Sequence, residues 1–310
     1  MHLPKNSLFG VLVVCSVVAV LAAGCGGSKK SASTTTTAAT TTSSTTTSTT
    51  KVVVIKKVAA LVPAKLKSKT LIVAADATYA PNEFIGPDGH TVVGMDADLA
   101  QALAAVMGVK AKVVNATFAT IIPGLQSGKY GLGMSSFTDT KAREKVVDFV
   151  TYFSAGTAFY TKTGGPTINS LADLCGHTVA VERGTTQEMD ASAQNGKCKK
   201  AGKKGVTVHV YDTQTAANLA ISSGRAEVGM ADSPVAAYIV KQSNGKFQLS
   251  GKVYGTAPYG IAIPKGNGMA QPILAGVKAL MSDGTYKSIL TKWGIQAGAI
   301  TNPKINGAIS

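Results

Sequence analysis

The hydrophobic and polar positions of this chain change character twice before a regular pattern begins. An apolar run over residues 8–21 follows Lys5 and is shorter than a membrane-spanning helix requires. Residues 31–50 are Ser or Thr at 17 of 20 positions, which predicts a flexible tether because nothing there offsets the entropy of ordering. Residues 51–69 mix apolar residues with lysines. They either dock on the folded part or extend the tether.

From Leu71 onward, short apolar segments alternate with amphipathic ones in the order strand, helix, strand, helix, strand, and this order occurs twice. The first unit runs from a strand at 71–75 to one at 132–134, and its first helix has apolar residues at i, i+3, i+4, i+7 and i+8 from Leu99. The second unit runs from 178–181 to 228–230. The sequences SGK at 127–129 and GM at 133–134 recur 96 positions later as SGR and GM. Such a repeat implies two similar lobes.

Helical crossovers between short strands require parallel pairing, which places a ligand-accepting edge at the carboxyl ends of the strands. The residues just past those ends are 76–79, 116–118 and 135–143 in the first lobe, and 182–187, 213 and 231–233 in the second. A strand at 259–264 and helices near 269–281 and 285–293 are predicted to follow. If this strand and these helices return to the first lobe, the chain passes between the lobes twice, near residues 159–163 and 255–258. Two such connections form a hinge.

The predicted fold class is therefore α/β, with two βαβαβ lobes joined by a two-segment hinge. The predicted limits are a leader at 1–24, a tether at 25–69, lobe one at 70–160 and 258–310, and lobe two at 161–257.

Charge and motifs exclude several functions. The net charge of the chain is +15, but nine of the 31 basic residues are lysines that precede residue 70. The chain after residue 70 has the other 22 basic residues and all 16 acidic ones. That remainder lacks the dense basic run of a nucleic-acid surface, so we expect no nucleic-acid partner. Four widely spaced cysteines argue against a zinc ribbon, and no P-loop, H-E-x-x-H or G-x-S-x-G motif occurs. We expect no catalytic residue, no cofactor and no metal.

The N-terminal segment has the order of a targeting signal, with Lys5, the apolar run and then LAAGC at 21–25. It resembles a bacterial lipobox, in which Cys25 becomes the acylated first residue of the mature protein, although Ala22 stands where Leu is usual. The other interpretation is a plain anchor helix with an incidental cysteine.

Seven motifs in order over about residues 70–296 resemble the bacterial extracellular solute-binding proteins of the polar amino-acid ABC transporter type (family 3). They are ADATYAP at 75–81, GMDADL at 94–99, IIPGL at 121–125, Arg143 with DF at 148–149, GTT at 184–186, ADSP at 231–234, and DGTY at 283–286 with KWG at 292–294. The resemblance implies a periplasmic-binding-protein (Venus-flytrap) fold and a free amino acid as ligand. It also implies an ABC transporter permease as partner, a monomer, and an extracytoplasmic location at the cell membrane, anchored by lipid on Cys25.

The resemblance further implies how the ligand's main chain is held. Arg143 would grip the α-carboxylate with two parallel hydrogen bonds, and Thr185 and Thr186 would contact it from a helix N-terminus. Asp232 would take the α-ammonium, opposite Ser136 in the repeat. Ser135, Ser136 and Thr138 would complete this shell. The other interpretations are an ion pair of Arg143 with Asp139 or Glu144, and a helix-capping role for Asp232 ahead of Pro234.

At the ligand's side-chain end, the family positions fall on Tyr79 and Phe118, whose rings would clamp the side chain. Asp76 and Glu182 would face its tip, and two further carboxylates slightly favour a cationic side chain (Arg, Lys or His) over Gln or Glu. Two observations keep the neutral ligands open. Family members that bind glutamine also carry the first aspartate, and Arg183 or Lys162 could neutralise Glu182.

Three further features bear on the site. Asn82-Glu83-Phe84 stands where many relatives read Pro-Phe-Glu, so the wall beside Tyr79 is in question. Asp96 and Asp98 are expected to cap the helix that follows them. Cys175 and Cys198 either form a disulfide or remain free thiols.

Two alternative functions use the same cleft. One is an enzyme, such as a periplasmic dehydratase, with Glu182 or Asp76 as general acid. The other is a sensor that signals to a membrane receptor. The sequence leaves open which amino acid binds, which permease it meets, the envelope type and glycosylation of the Thr tract.

Overall fold

The computed structural model describes residues 53–309. The predicted leader, the acylation of Cys25 and the Ser/Thr tether lie outside these residues. Thr49–Ser310 forms one compact unit that contains both sheets and their packed cores, so this part of the chain has what it needs to fold on its own. No helix within 53–309 is long and apolar enough to cross a bilayer.

The described residues form ten α-helices and eleven strands, which include the elements expected from the repeat. The helices are α1 (Lys56–Leu61), α2 (Ala64–Lys67), α3 (Met95–Met107), α4 (Phe118–Gln126), α5 (Lys141–Glu144), α6 (Thr186–Lys200), α7 (Gln214–Ser222), α8 (Ser233–Gln242), α9 (Ala270–Ser282) and α10 (Thr285–Trp293). The strands are β1 (Thr70–Ala75), β2 (Thr78–Tyr79), β3 (Glu83–Ile85), β4 (Val92–Val93), β5 (Lys110–Asn115), β6 (Leu132–Gly133), β7 (Val147–Lys162), β8 (Thr178–Glu182), β9 (Thr207–Tyr211), β10 (Val228–Asp232) and β11 (Phe247–Pro264).

The main sheet confirms the two predicted βαβαβ units. Its strand order is β5-β1-β6-β11-β7-β10-β8-β9. In lobe one, β1 is parallel to β5 and β6, and in lobe two β8 is parallel to β9 and β10. The carboxyl ends of both sets therefore supply the loops of the candidate site.

Two long antiparallel strands, β7 and β11, join the lobes. They pair from Val147–Pro264 at one end to Phe247–Lys162 at the other, with register shifts on β11 between Ser250 and Gly260. β11 pairs with β6 of lobe one, whereas β7 pairs with β10 of lobe two from residue 157 to 161. The predicted lobe limits at 160/161 and 257/258 both fall within these two strands and stay predictions.

The segment before β1 docks on lobe one, which resolves one of the open alternatives. Val58 and Val62 are buried in the core beneath α3, α9 and α10, and the Ile55 amide donates to the Val106 carbonyl at 3.0 Å. Burying each valine contributes roughly 1.5–3 kcal/mol relative to exposure. At least residues 55–62 therefore belong to the folded part.

The prediction that Asp96 and Asp98 cap α3 is wrong. Gly94 is the cap residue, and neither carboxylate makes a capping bond. The buried Asp96 accepts hydrogen bonds from other elements, while Asp98 accepts from the Lys292 ammonium and the Trp293 indole N–H. Both still lie in the first turn of α3, where a negative charge interacts favourably with the helix dipole.

Cys175 and Cys198 form a disulfide, with their Cα atoms 5.6 Å apart. The bond ties the loop before β8 to the last turns of α6, inside the core of lobe two. Of the two alternatives for these cysteines, free thiols are thus excluded.

Candidate functional site

A small cavity lies where strand ends from the two lobes meet. Its volume is about 20 Å³, enough for an ordered water molecule. Eight of the predicted site residues line it: Tyr79, Phe118, Ser136, Thr138, Arg143, Thr185, Thr186 and Asp232. Three others, Asp76, Ser135 and Glu182, are buried outside this lining. The lobes are therefore closed over the predicted site.

Arg143 spans the cavity from lobe one to lobe two. Its Nη1 donates to the Thr138 carbonyl at 2.8 Å, and its Nη2 donates to the Gly184 carbonyl of lobe two at 2.9 Å. The guanidinium carbon lies 5.3 and 5.4 Å from the ring centres of Phe118 and Phe137. Burial lowers the pKa of Arg143 to about 10, so the group remains charged at neutral pH.

The surface ion pair considered for Arg143 does not form among the described residues. Glu144 instead pairs with Lys141 at 3.0 Å. Because a guanidinium has five N–H donors and two donate to carbonyls, three remain. That is enough for a two-bond contact with a carboxylate.

Asp232 stands at the N-terminus of α8 but makes no capping bond. Its Oδ1 accepts from Gln187 Nε2 at 2.7 Å and its Oδ2 from the Tyr259 hydroxyl at 2.6 Å. Burial raises the pKa of Asp232, while these two donors and the Arg143 charge oppose the shift. Each oxygen keeps acceptor capacity, so the carboxylate can still receive an ammonium group.

The N-terminus of α6 forms part of the cavity wall. Thr185 caps the helix by accepting from the Glu188 amide at 3.1 Å, and its hydroxyl donates to the Glu182 carbonyl at 2.7 Å. Glu188 in turn accepts from the Gly184 amide at 2.6 Å. These bonds fix Thr186, the first residue of α6, against the cavity.

Ser136 is held in the left-handed region, at φ 49°, by a buried polar network. Its amide donates to Asp96 Oδ2 at 2.9 Å and its hydroxyl to Glu83 Oε2 at 3.1 Å. Asn82 Nδ2 donates to the same hydroxyl at 2.9 Å. Burial and the Asp96 charge raise the pKa of Glu83 well above its usual value, so Glu83 holds the proton of this carboxyl pair.

The residues at 82–84, which differ from those of many relatives, therefore contribute contacts that support the site. Asn82 supports Ser136, and Phe84 packs on Trp293 and Tyr238, with ring centres 5.6 and 6.5 Å apart.

Asp76 organises the side-chain end of the site. Its Oδ2 accepts from the Phe118 amide at 2.8 Å and its Oδ1 from the Thr78 hydroxyl at 2.7 Å, while its own amide donates to Ser135 Oγ at 2.7 Å. Burial raises the pKa of Asp76, and the bonds from Thr78 and Phe118 oppose the shift. The Phe118 ring meets Tyr79 edge to face, with ring centres 5.8 Å apart.

Glu182 differs from Asp76 because neither of its oxygens accepts a hydrogen bond of normal geometry from the described residues, although Asp76 and Tyr79 lie close enough to affect its pKa. The buried Tyr79 hydroxyl also lacks a hydrogen-bond partner among the described residues. Burial and the charge of Asp76 raise the pKa of Glu182 to about 10, so it is protonated at neutral pH. Arg183 does not neutralise it, because that side chain is exposed and pairs with Asp212 at 2.9 Å.

Sequence reasoning missed three residues that shape the site. The side chain of Gln187 donates hydrogen bonds to both Thr157 and Asp232. The backbone N–H of Gln214 donates to the Thr78 hydroxyl of the other lobe at 3.2 Å. The Tyr259 hydroxyl donates to Asp232. The two glutamines fall in or just after the predicted loop positions 182–187 and 213. A neutral amide, however, has no chemical signature that singles it out.

No cluster of three or more potential metal ligands occurs in residues 53–309.

A two-lobed fold with two crossing strands, closed over a cavity that holds one guanidinium and one carboxylate, defines a solute-binding protein. The chain belongs to the bacterial extracellular solute-binding proteins, family 3, whose model matches residues 71–296.

Named relatives support this assignment. The arginine-binding protein ArgT of Corynebacterium glutamicum is 33% identical over 252 residues, covering 81% of this chain and 83% of its own length. The ABC transporter glutamine-binding protein GlnH of Bacillus subtilis is 33% identical over 213 residues, covering 67% and 74%. The structure of an ancestral arginine-binding protein bound to arginine superposes with a TM-score of 0.67 at 38% identity, covering 72% of this chain and 97% of that one.

Proposed function

We propose that this protein is an extracytoplasmic, lipid-anchored binding protein that captures a free amino acid by cleft closure and delivers it to an ABC importer. The observation that carries the proposal is the pair of opposite charges, Arg143 from lobe one and Asp232 from lobe two, at one closed cavity. An amino acid is a zwitterion, so its carboxylate and ammonium match this pair. The names of the two relatives, which bind arginine and glutamine, support the same ligand class.

Closure is part of the proposed mechanism. The bonds from Arg143 to the Gly184 carbonyl and from the Gln214 amide to Thr78 join the lobes directly. A space of about 20 Å³ does not admit an amino acid, so the ligand enters when these bonds are open. It then shifts the equilibrium toward closure because it contacts both lobes. The closed form is what a permease would recognise.

A cationic side chain suits the far end of the site better than a neutral one. Glu182 and Asp76 are buried close enough for the Asp76 charge to raise the pKa of Glu182. Glu182 and the Tyr79 hydroxyl both lack partners in the described residues, and a guanidinium offers several donors in one plane. We therefore place arginine, lysine and histidine ahead of glutamine and glutamate.

The test is a calorimetric and thermal-shift panel of the twenty amino acids on Thr49–Ser310. A ligand at one hundred times its Kd stabilises by about 2.7 kcal/mol. Arginine should bind, while agmatine, which keeps the guanidinium but lacks the carboxylate, should bind at least about 100-fold more weakly because Arg143 loses its partner. Equal affinity for the two would contradict the main-chain grip. Binding of glutamine alone would overturn the cationic preference.

A second candidate, an enzyme such as a dehydratase, is favoured by one observation. Glu182 is protonated at neutral pH, and a general acid must carry a proton to donate. In that case the amino acid panel gives no stoichiometric binding, and a substrate loses water in a reaction that Glu182→Gln abolishes. Stoichiometric retention of an unchanged amino acid decides against it.

A further inference from the structure

Lobe one carries a group of lysines that amino-acid capture does not use. We define the basic face as Lys65, Lys69, Lys110, Lys112 and Lys129, all of which are exposed. None of the five has an ion-pair partner among the described residues. No acidic residue occurs in 53–75 or 99–138, the segments that carry these lysines.

The lysines surround an open cavity. Its volume is about 480 Å³, and Lys65, Lys69 and Lys129 line it. The two other lysines lie on the neighbouring strand, since Lys110 pairs with Thr70 and Lys112 with Ile72, and both partners line the cavity. Apolar side chains make up much of the remaining wall: Leu66, Leu71, Val109, Leu125 and Met269. The cavity thus combines a cationic rim with an apolar wall.

The basic face lies at the end of lobe one opposite the amino-acid site. The cavity adjoins the amino ends of β1 and β5, at Thr70 and Lys110, whereas the site begins after the carboxyl end of β1, at Asp76. Six residues of strand separate Thr70 from Asp76, which is roughly 20 Å at the usual rise per residue. A partner on the basic face would leave the cleft free.

The described chain also begins at this end. Val54 packs against Gly108, which ends α3 two residues before β5 begins at Lys110. Val53 and Val54 are 65% and 55% exposed. Apolar side chains therefore accompany the lysines on this end of the lobe.

We propose that the basic face docks on the anionic phospholipid headgroups of a membrane surface. The lysines would meet the phosphates, and the apolar wall of the cavity with Val53 and Val54 would contact the headgroup–acyl boundary. A soluble anionic polymer would match the charge, but it would leave these apolar surfaces without a partner. Docked in this way, the cleft opens away from the lipid, where free amino acids can enter.

The proposal predicts the size of the effect. A lysine near an anionic surface contributes about a fivefold factor in binding, so neutralising three of them weakens binding on the order of 100-fold. Screening by salt should weaken it further, because the Debye length falls from about 10 Å at 0.1 M to about 3 Å at 1 M.

The experiment is vesicle sedimentation with Thr49–Ser310, which lacks Cys25, so that lipid acylation plays no part. Vesicles of phosphatidylcholine with about one third phosphatidylglycerol, whose negative surface attracts lysines, are compared with vesicles of phosphatidylcholine alone. The chain should sediment with the anionic vesicles only. The triple variant Lys65→Gln, Lys69→Gln, Lys129→Gln should lose binding on the order of 100-fold.

A matched variant controls for net charge. Lys241→Gln, Lys246→Gln and Lys252→Gln removes three exposed lysines from lobe two and should bind the vesicles as the unchanged chain does. Equal losses in both triple variants would overturn the proposal, as would equal sedimentation with neutral vesicles. Retention on soluble polyphosphate without sedimentation on anionic vesicles would assign the face to a polymer instead and overturn it.

One further measurement separates this proposal from amino-acid capture. The Kd for the amino acid should be the same with and without anionic vesicles, because the docked face is remote from the cleft. A vesicle-bound chain that no longer binds its ligand would overturn the orientation. A chain that docks on vesicles but binds no amino acid in either condition would contradict only the proposed function.

Discussion

The two ends of the proposed amino-acid site differ in how completely the protein satisfies its own polar groups. At the main-chain end, Arg143 donates to two carbonyls and Asp232 accepts from two donors. At the side-chain end, the Glu182 oxygens and the Tyr79 hydroxyl have no partner among the described residues. In the closed form, the polar groups of the first end are satisfied by the protein itself. The second has polar atoms whose partners a ligand would supply.

The contrast indicates where recognition is general and where it is selective. Every free α-amino acid has the same carboxylate and ammonium, so a fixed grip serves all of them. An unpartnered buried polar group costs about 1–3 kcal/mol, and a ligand whose side chain pairs with it recovers that cost. Discrimination among amino acids is therefore expected to reside near Glu182 and Tyr79.

A substitution at the main-chain end of the site should have the largest effect on ligand affinity. Arg143→Ala removes the guanidinium, leaves the ligand carboxylate without its partner and leaves Asp232 without a nearby positive charge. Removing one partner of a buried charge pair costs about 3–5 kcal/mol, so the Kd should rise on the order of 1,000-fold, measured by calorimetry.

Arg143→Lys serves as the charge-matched comparison. A lysine cannot bond two carboxylate oxygens in parallel while also reaching both the Thr138 and Gly184 carbonyls. It should bind more tightly than the alanine variant and more weakly than the natural chain. Near-normal affinity in Arg143→Ala would contradict the assignment of this end.

At the selective end, Glu182→Gln should raise the stability of the ligand-free protein. The pKa of Glu182 is raised from 4.5 to about 10 by burial and by Asp76, so the folded state holds a proton that the unfolded state releases above pH 4.5. Stability therefore falls as pH rises from about 4.5 to about 10. By pH 7 the loss of stability amounts to about 3 kcal/mol, and the Glu182→Gln variant avoids this loss because its side chain does not titrate.

Urea unfolding at pH 5, 6, 7 and 8 measures this difference, which should grow with pH. Asp76→Asn is the contrasting variant. Asp76 accepts from Phe118 and Thr78, and an amide presents an NH₂ group to one of these donors, so it should destabilise by about 1–3 kcal/mol. A loss of stability in Glu182→Gln at pH 7 would mean that Glu182 is ionised.

The network behind Ser136 offers a smaller test of the organised end. Asp96 accepts from the Ser136 amide and the Tyr152 hydroxyl, so Asp96→Asn should cost about 1–3 kcal/mol of unfolding free energy. It should also weaken ligand binding, because Ser136 lines the cavity. Glu83→Gln keeps a neutral side chain and should change stability by less than about 1 kcal/mol. A larger loss of stability in Glu83→Gln than in Asp96→Asn would show that Glu83 is the charged member of the pair.

The division between the two ends also marks what the sequence could predict. The repeat by itself predicts that Asp232 lies opposite Ser136. Strand–helix periodicity locates the loops at the strand ends, and the offset of 96 residues relates these two positions. Arg143 and the Tyr79–Phe118 pair rested on the resemblance to the family. In each case a residue type with distinctive chemistry stood at a loop that the pattern had already located.

What could not be predicted depends on contacts across the closed cleft and on packing. Nothing in the pattern shows that Gln187 and Tyr259 support Asp232, or that Asp96 turns away from its own helix to hold Ser136. Acidic residues at the start of a helix ordinarily cap it. Here the buried Asp96 accepts a hydrogen bond from the Tyr152 hydroxyl instead, and Asp98 accepts from Lys292 and Trp293. The presence of Asn82 where many relatives have proline also became interpretable only once its bond to Ser136 was seen.

The most sensitive comparison of the two ends is the proton balance of binding. At neutral pH, Glu182 is protonated in the free protein, and a ligand cation beside it lowers its pKa, because an opposite charge favours the ionised carboxylate. Arginine binding should therefore release close to one proton. Its affinity should rise about tenfold per pH unit between the bound and free pKa values. Glutamine, which brings no charge, should release none.

Calorimetry in two buffers of different ionisation enthalpy counts the protons that binding releases. Glu182→Gln should abolish the release, while Arg143 still binds the ligand carboxylate. Proton release in that variant would place the titrating group elsewhere and would remove Glu182 from the selective end of the site.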